Sequence, residues 1–144
     1  NLGFIKHFFF FFKFIHCQRN TKDNCLSIYK NLFNDNVGWN YNDKYIVDYY
    51  YLYKDIMNFW DKKLKKDIFN IKYENLINDK NILIKNIIKY CNLDWDENCL
   101  HHQKNDAPIK TLSFNQANKP IYSSSINSSK KFENYLKNMF DKLK

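Results

Sequence analysis

Hydrophobic and polar positions along the chain follow two different periods. Residues 13–18 form a short, largely apolar segment with the length and composition of a buried β-strand. A polar, turn-prone cluster follows over residues 19–23, and beyond it apolar residues recur every three or four positions, as in an amphipathic helix. Residues 68–73 alternate and predict a second strand, and residues 74–90 return to helical spacing. A strand followed by a helix therefore occurs twice.

The rest of the apolar pattern predicts further helices. A long amphipathic helix without Gly or Pro is expected over residues 43–66, and a helical turn over residues 3–10. A polar loop over residues 103–119 precedes a final amphipathic helix between Phe132 and Leu143. Alternation of strands with helices is typical of an α/β fold, so a parallel sheet flanked by helices is the predicted fold class.

Composition indicates a folded domain but does not identify a partner. The 144 residues suffice for one domain, and 44% hydrophobic residues with only two Gly and two Pro argue against disorder. The net charge of +8 would favour an anionic partner. However, the basic residues are 22 Lys and a single Arg, accompanied by many Asn, Ile, Phe and Tyr, whose codons are rich in A and T. Coding bias therefore explains much of the charge.

The cysteines and histidines show no spacing typical of a metal site. No C-x-x-C pair occurs, and the adjacent His101 and His102 would point to different faces of a helix or strand. We therefore expect no metal, reduced buried thiols and a cytoplasmic compartment. The apolar run from Phe8 to Phe12 is far shorter than the ~18 residues of a membrane-spanning helix, so no membrane partner is expected. The cysteines concerned are Cys17, Cys25, Cys91 and Cys99.

The turn after the first predicted strand is the most informative place in the sequence. Arg19 lies at the carboxyl end of that strand, where open α/β sheets bind their ligands, and Ser27 follows inside the next helix. A guanidinium can grip a phosphate with two parallel hydrogen bonds, which a lysine ammonium cannot do. Because Arg19 is the only arginine in a lysine-rich chain, we interpret it as kept for that geometry, with chance retention as the alternative.

Five segments, in this order, carry a resemblance to a known family. They are FIHCQRNTKDNCLSIY at residues 14–29, YENLI at 73–77, CNLDWD at 91–96, HQKN at 102–105 and SFNQANKPIYSSS at 113–125. The first resembles the 3′-phosphate-binding motif of sulfotransferases, and the second resembles the strand-end Tyr-Glu segment of that family. The other three are similar to bacterial tetratricopeptide-linked and tyrosylprotein sulfotransferases. The resemblance covers nearly the whole chain.

The resemblance implies a P-loop-type α/β fold that binds 3′-phosphoadenylyl sulfate (PAPS). Such enzymes transfer the sulfuryl group of PAPS to an acceptor hydroxyl, often on a protein tyrosine or a sugar. Carried over by position, Arg19 and Ser27 would hold the 3′-phosphate, and Tyr73 would contact the adenosine. Ser113 and a basic residue near Ser125 to Lys131, for which we choose Lys130, would close the site.

Departures from the family pattern limit what the resemblance assigns. Thr21 stands where the motif usually has Pro, and Ser128 stands where the tyrosylprotein branch has Lys. The Gly-rich 5′-phosphosulfate loop and the general base normally lie upstream, and this chain contains only Gly3 and Gly38. We therefore expect a single partial domain over residues 1–144, the C-terminal half of a sulfotransferase, with no catalytic residue assigned. An upstream tetratricopeptide region is an expected partner in the full-length chain.

Two other functions agree less well with the sequence. A helical interaction module would pack on a partner through the aromatic helix over residues 43–66, and it is the main alternative. Nucleic-acid binding would need a basic stripe with exposed aromatic residues, whereas the lysines are scattered among Asp and Glu, so no nucleic-acid partner is expected. Without an upstream strand the sheet would expose an edge and an apolar face, which predicts low solubility or self-association of this chain alone.

Overall fold

Two parallel strands and the helices around them make up the fold. A computed structural model describes residues 2–9, 11–31, 38–104 and 119–143. The regular elements in chain order are α1 (Leu2–Phe8), β1 (Phe14–Gln18), α2 (Thr21–Lys30), α3 (Asp43–Lys63), β2 (Ile68–Lys72), α4 (Tyr73–Asn78), α5 (Lys80–Tyr90) and α6 (Lys137–Phe140). Short 3₁₀ helices add single turns at Trp39–Tyr41, Glu97–Leu100, His102–Lys104 and Ser128–Phe132.

The sheet pairs β1 with β2 in parallel, with Phe14 opposite Ile68 and Gln18 opposite Lys72. Both strands lie where the sequence predicts them, and the predicted α/β class with a parallel sheet flanked by helices is confirmed. The expectation of a fully buried first strand is wrong, because residues along β1 alternate between half-buried and exposed, and Ile15 is 45% exposed. Phe14, His16 and Gln18 form the half-buried face of β1, and Ile15 and Cys17 form its exposed face.

Asparagine caps and one local break decide where the helices begin and end. The side chain of Asn20 accepts a hydrogen bond from a backbone N–H in the first turn of α2, and Asn42 does the same twice for α3. The long helix ends at Lys63, three residues before the predicted end. Residues 74–90 do not form one helical stretch, because Asp79 leaves the helical conformation (φ −128°, ψ 44°) and separates α4 from α5.

The main core cluster lies where α2, α3 and the C-terminal segment meet. Cys25 and Leu26 of α2 and Ile46 and Val47 of α3 are each at most 6% exposed. The C-terminal segment adds three buried apolar residues to them, so a stretch far away in sequence completes the core. These three are Met139, Phe140 and Leu143.

The C-terminal segment is not the continuous helix that its apolar spacing predicts. A 3₁₀ turn at Ser128–Phe132 is followed by turns and by the four residues of α6, and Tyr135 is 85% exposed. Long-range contacts explain the difference. The backbone N–H of Ser129 donates to the Asp23 carboxylate at 2.7 Å, and the Tyr51 hydroxyl donates to the carbonyl of Lys142 at 2.7 Å. These contacts anchor the two ends of the segment to α2 and α3, so the segment follows the surface of these helices instead of forming one straight helix.

The four cysteines are free thiols with different exposure. Cys25 is buried, Cys17 is exposed, and Cys91 and Cys99 are intermediate, so the expectation that all four are buried is wrong. Within the described ranges, no group of His, Cys, Asp and Glu side chains is arranged to hold a metal ion. The helices of those same ranges include none that is long and apolar enough to cross a bilayer.

We expect thiol labelling to separate Cys17 from Cys25. Burial raises the pKa of the Cys25 thiol to about 12, so this side chain is both inaccessible and protonated near neutral pH. Cys17 should react first in the native protein, and Cys25 should react only when the protein unfolds. Mass-spectrometric mapping of alkylated cysteines over time measures both rates, with Cys17→Ser as the control. Equal rates for the two thiols would contradict the described packing.

Candidate functional site

A cavity opens beyond the carboxyl ends of the two strands. It has a volume of about 680 Å³, and we call it the first cavity. Its walls come from the end of β1, from α2 and from residues 119–128. Arg19 directly follows β1 and Tyr73 directly follows β2, and because the strands are parallel both side chains reach the same edge of the sheet. Ser27, eight positions after Arg19 and within α2, lines the same space.

The guanidinium of Arg19 is held in place but is not saturated with partners. Its Nη2 donates to the carbonyl oxygen of Ser125 at 2.5 Å, and the centre of the guanidinium lies 5.6 Å from the centroid of the Tyr73 ring. Its Nε is buried and has no hydrogen-bond partner among the described residues. A buried donor without a partner is costly, so the site is suited to an acceptor supplied by a ligand.

Tyr73 links the sheet edge to the C-terminal segment. Its hydroxyl donates to the carbonyl oxygen of Tyr122 at 3.1 Å and accepts a hydrogen bond from the Ser125 hydroxyl at 3.3 Å. Ser125 therefore contacts both Arg19 and Tyr73, and the loop that carries it forms one wall of the cavity. Tyr73 itself lines the cavity, with the Arg19 guanidinium beside its ring.

The charges around the first cavity are all of one sign. Arg19, Lys30 and Lys119 line it, and no Asp or Glu is among the lining residues that the structure describes. His102 also lines it and approaches the carbonyl oxygen of Lys119 through Nε2 at 3.0 Å, which requires a proton on that nitrogen. Serine hydroxyls and cations without a competing carboxylate favour an anionic ligand. The additional serines of the lining are Ser124, Ser125 and Ser128.

A buried carboxylate holds the C-terminal wall of this cavity in place. Asp23 is 1% exposed and accepts hydrogen bonds from the backbone N–H groups of Asn127 and Ser129, each at 2.7 Å. The Ser128 hydroxyl approaches it at 3.4 Å. Burial alone would raise the pKa of Asp23, but the hydrogen bonds from Ser129 and Asn127 and the nearby charge of Arg19 outweigh it, so the pKa lies below its usual value.

The structure brings some of the sequence-predicted site residues together and not others. Arg19, Ser27 and Tyr73 share the first cavity. Lys130 is exposed and does not line the cavity, whereas Lys30 and Lys119, which we did not select from the sequence, do. The fifth predicted residue, Ser113, lies outside the described residues.

Sequence reasoning also missed Asp23 as the residue that positions this wall. The only local signal is an acidic residue in the first turn of α2. Its hydrogen bonds are made to residues more than one hundred positions away, so its role depends on tertiary structure.

A second cavity of about 690 Å³ adjoins the first one and shares Cys17, Arg19 and Asn24 with it. Its lining mixes acidic and basic side chains and includes a chain of hydrogen bonds. Asn70 donates through Nδ2 to Asp61 at 3.1 Å, so its Oδ1 accepts from Nδ1 of His16 at 2.6 Å. Nε2 of His16 then accepts from the Tyr53 hydroxyl at 2.5 Å. Burial raises the pKa of Tyr53, which keeps this hydroxyl protonated.

Comparison with known proteins gives this geometry a family context. A protein of Aquifex aeolicus (strain VF5) described as an uncharacterized protein is 29% identical over 127 residues. The match covers 86% of this chain and 17% of that protein, so the chain spans only a small part of its relative. The model of the sulfotransferase family matches residues 1–97, which is more than half of the chain and contains β1, α2, α3 and β2. On this match, the chain belongs to the sulfotransferase family.

Proposed function

We propose that this chain supplies the nucleotide 3′-phosphate site of a PAPS-dependent sulfotransferase. The enzyme would transfer a sulfuryl group from PAPS to an acceptor hydroxyl on a protein tyrosine or a sugar. Membership of the sulfotransferase family supports sulfuryl transfer in general. The observation that carries the finer proposal is the buried, unpartnered Nε of Arg19 at the edge of a cavity lined by cations and serines.

The residues of the first cavity fit a phosphate monoester. Arg19 offers Nε and its terminal nitrogens as a planar set of donors, and the hydroxyl of Ser27 lines the same space. Lys30 and Lys119 add positive charge without the geometric demand of a guanidinium. A dianionic 3′-phosphate would replace the Ser125 carbonyl as the acceptor for Arg19, and it would also satisfy the unpartnered Nε.

Tyr73 fits the adenosine part of the same ligand. Its ring already lies beside the Arg19 guanidinium, and its hydroxyl is fixed by Tyr122 and Ser125. A ring held at this position can stack against a nucleobase while the 3′-phosphate reaches Arg19. Ser113 and Lys130 remain proposed as the residues that close the site.

In this proposal the chain binds and orients the nucleotide. PAPS, when bound, supplies the sulfuryl group, and the residues of the first cavity fix the end of the nucleotide remote from that group. Fixing this end restricts the direction from which an acceptor hydroxyl can approach, which is how remote binding groups contribute to transfer reactions. No group of this chain is assigned as the base that takes the acceptor proton. The upstream tetratricopeptide region of a longer chain is part of the same proposal.

Calorimetric titration with adenosine 3′,5′-bisphosphate tests the proposed site. We expect saturable binding, and a loss of about 10–100-fold in affinity for Arg19→Ala, because a charge-assisted bidentate contact contributes about 1.5–3 kcal/mol. Arg19→Lys keeps the positive charge but loses the planar pair of donors, so its affinity should lie between those of Arg19→Ala and the unchanged chain. Adenosine 5′-monophosphate, which lacks the 3′-phosphate, should bind weakly and show no dependence on Arg19.

Lys65→Ala is the matched control, since it also removes one positive charge but lies outside both cavities. The titrations are repeated at two salt concentrations because nonspecific attraction to lysines weakens with screening. Absence of saturable binding would overturn the proposal and favour the interaction module. An equal loss of affinity for Lys65→Ala and Arg19→Ala would also overturn it.

A further inference from the structure

The long helix α3 carries a second apolar face that the described residues leave about half exposed, although Trp39 stacks on Tyr49 with ring centroids 4.2 Å apart. Its first apolar face contributes Ile46 and Val47 to the core. On another side of the same helix, five large apolar side chains are each 46–55% exposed. We call this set the α3 stripe, and it consists of Tyr45, Tyr49, Leu52, Ile56 and Phe59.

The spacing within the α3 stripe is that of a coiled-coil seam. Successive members are four, three, four and three residues apart, which is the heptad pattern of a and d positions. Lys63 continues the pattern by one more step, and its Nζ lies 5.9 Å from the centroid of the Phe59 ring. Scattered exposed apolar residues are ordinary on protein surfaces, but a regular stripe along a 21-residue helix of about 32 Å matches another helix.

Charges beside the stripe select the partner and its direction. Asp48, Asp55 and Lys62 recur every seven residues along one flank, and all three are exposed. The other flank carries Ile46 and Tyr53, which face the chain's own fold. Only the charged flank is therefore free to pair with a partner's charges. In an antiparallel pair of identical helices this flank meets its own copy, whereas in a parallel pair it meets the other flank.

We infer that the α3 stripe is the seam of an antiparallel homodimer of this chain. The register that places Leu52 against Ile56 of the second copy, and Tyr49 against its Phe59, brings Asp48 opposite Lys62 of that copy. Two-fold symmetry makes each of these contacts twice, whereas Asp55 meets its own copy once, at the axis. A shift of one heptad toward the N-termini would oppose Asp48 and Asp55 twice, so like charges disfavour it. The opposite shift would pair Asp55 with Lys62 but would leave Tyr45 and Tyr49 beyond the end of the partner helix.

Sedimentation velocity on the full chain tests this inference. Measurements span about 1–100 µM protein, because an interface of two heptads is at the small end of stable interfaces. We expect a reversible monomer–dimer equilibrium. Leu52→Glu should raise the dissociation constant by more than about 100-fold, since two apolar side chains are lost and two charges are introduced at the seam. Ile82→Glu, at a 65% exposed position of α5, is the matched control and should leave the equilibrium unchanged.

Charge reversal tests the antiparallel register. Asp48→Lys and Lys62→Asp should each weaken the dimer by about 10-fold, and the double variant should return to the affinity of the unchanged chain. A chain that stays monomeric over the whole concentration range would overturn the inference. Equally, a dimer that tolerates Leu52→Glu would show that another surface, such as the open face of β1, mediates association, and a double variant without recovery would overturn the register.

The dimer seam and the proposed nucleotide site can be tested separately. No member of the α3 stripe lines the first cavity. Leu52→Glu should therefore leave adenosine 3′,5′-bisphosphate affinity unchanged, and Arg19→Ala should leave the monomer–dimer equilibrium unchanged. Circular dichroism and thermal melting of each variant verify that the fold is retained.

Discussion

Phe140→Ala should lower the free energy of unfolding by about 3–5 kcal/mol, because truncating a buried phenylalanine removes apolar contacts and leaves a cavity. Phe140 is 2% exposed and is the largest fully buried side chain among the residues that the structure describes. It joins α6 to buried residues of α2 and α3, among them Leu26 and Ile46. The Nζ of Lys22 also lies 5.5 Å from the centroid of its ring. Its loss should therefore weaken the attachment of the whole C-terminal segment.

Urea denaturation followed by tryptophan fluorescence and circular dichroism measures this change. Tyr135→Ala is the matched control, because it truncates an aromatic residue of the same segment that is 85% exposed. We expect the control to alter the free energy of unfolding by no more than about 0.5 kcal/mol. Similar losses for the two variants would mean that the C-terminal segment is not docked through Phe140.

The elements that local periodicity encodes were predictable from the sequence. The strand at Phe14–Gln18, the strand at Ile68–Lys72 and the helix at Asp43–Lys63 lie close to their predicted bounds. Each owes its conformation to a run of apolar residues with one clear period, and α3 contains no Gly or Pro to interrupt it. The grouping of Arg19 with Tyr73 was also predictable, because both follow strands that are parallel.

Features that depend on distant contacts were not predictable in this way. The apolar spacing between Phe132 and Leu143 is helical, yet this segment is tied to its neighbours at both ends. Ser129, just before it, donates to Asp23 of α2, and the carbonyl of Lys142 accepts from Tyr51 of α3. Local spacing cannot encode such a contact. Which lysine lines the cavity could not be predicted from local spacing either. Lys30 of α2 and Lys119 of the C-terminal wall line it, whereas Lys130 is exposed.

The sequence predicts an exposed apolar face on the sheet, and the structure shows a larger exposed apolar surface on α3. Ile15 on β1 is 45% exposed, whereas the α3 stripe extends over four turns of helix. The helical period of residues 43–66 is clear from the sequence, but the apolar residues there form two adjacent faces. Only the tertiary structure distinguishes the face that packs on Cys25 and Leu26 from the face that remains uncovered. Self-association of this chain stays a prediction.

Asp23→Asn should lower the free energy of unfolding by about 2–4 kcal/mol, because buried backbone donors lose a charged acceptor. Only one of the two Asn side-chain polar atoms accepts hydrogen bonds, so the amide cannot serve Asn127 and Ser129 as the carboxylate does. The wall of the first cavity should loosen, since Ser125 and Ser128 belong to the same segment. We therefore also expect weaker binding of adenosine 3′,5′-bisphosphate.

Chemical denaturation and the calorimetric titration measure these two effects on the same protein preparation. Asp94→Asn is the matched control, because Asp94 is exposed and lies outside both cavities. A stability loss without any change in nucleotide affinity would show that the Asn127–Ser129 turn is not needed for the cavity. Equal stability of Asp23→Asn and Asp94→Asn would contradict the buried hydrogen bonds themselves.

The stability difference between the unchanged chain and Asp23→Asn should depend on pH in one direction. Although burial opposes it, hydrogen bonding to Ser129 and Asn127 and the charge of Arg19 hold the folded-state pKa of Asp23 below its ordinary value, which is about 3.9. A carboxylate whose pKa is lower in the folded state contributes its full stabilisation at pH values above its unfolded-state pKa. This contribution disappears as the pH falls through its folded-state pKa. The difference should thus be constant near neutral pH and shrink below about pH 4. If it stayed constant or grew on acidification, the carboxylate would not be the charged acceptor that holds the C-terminal segment against α2.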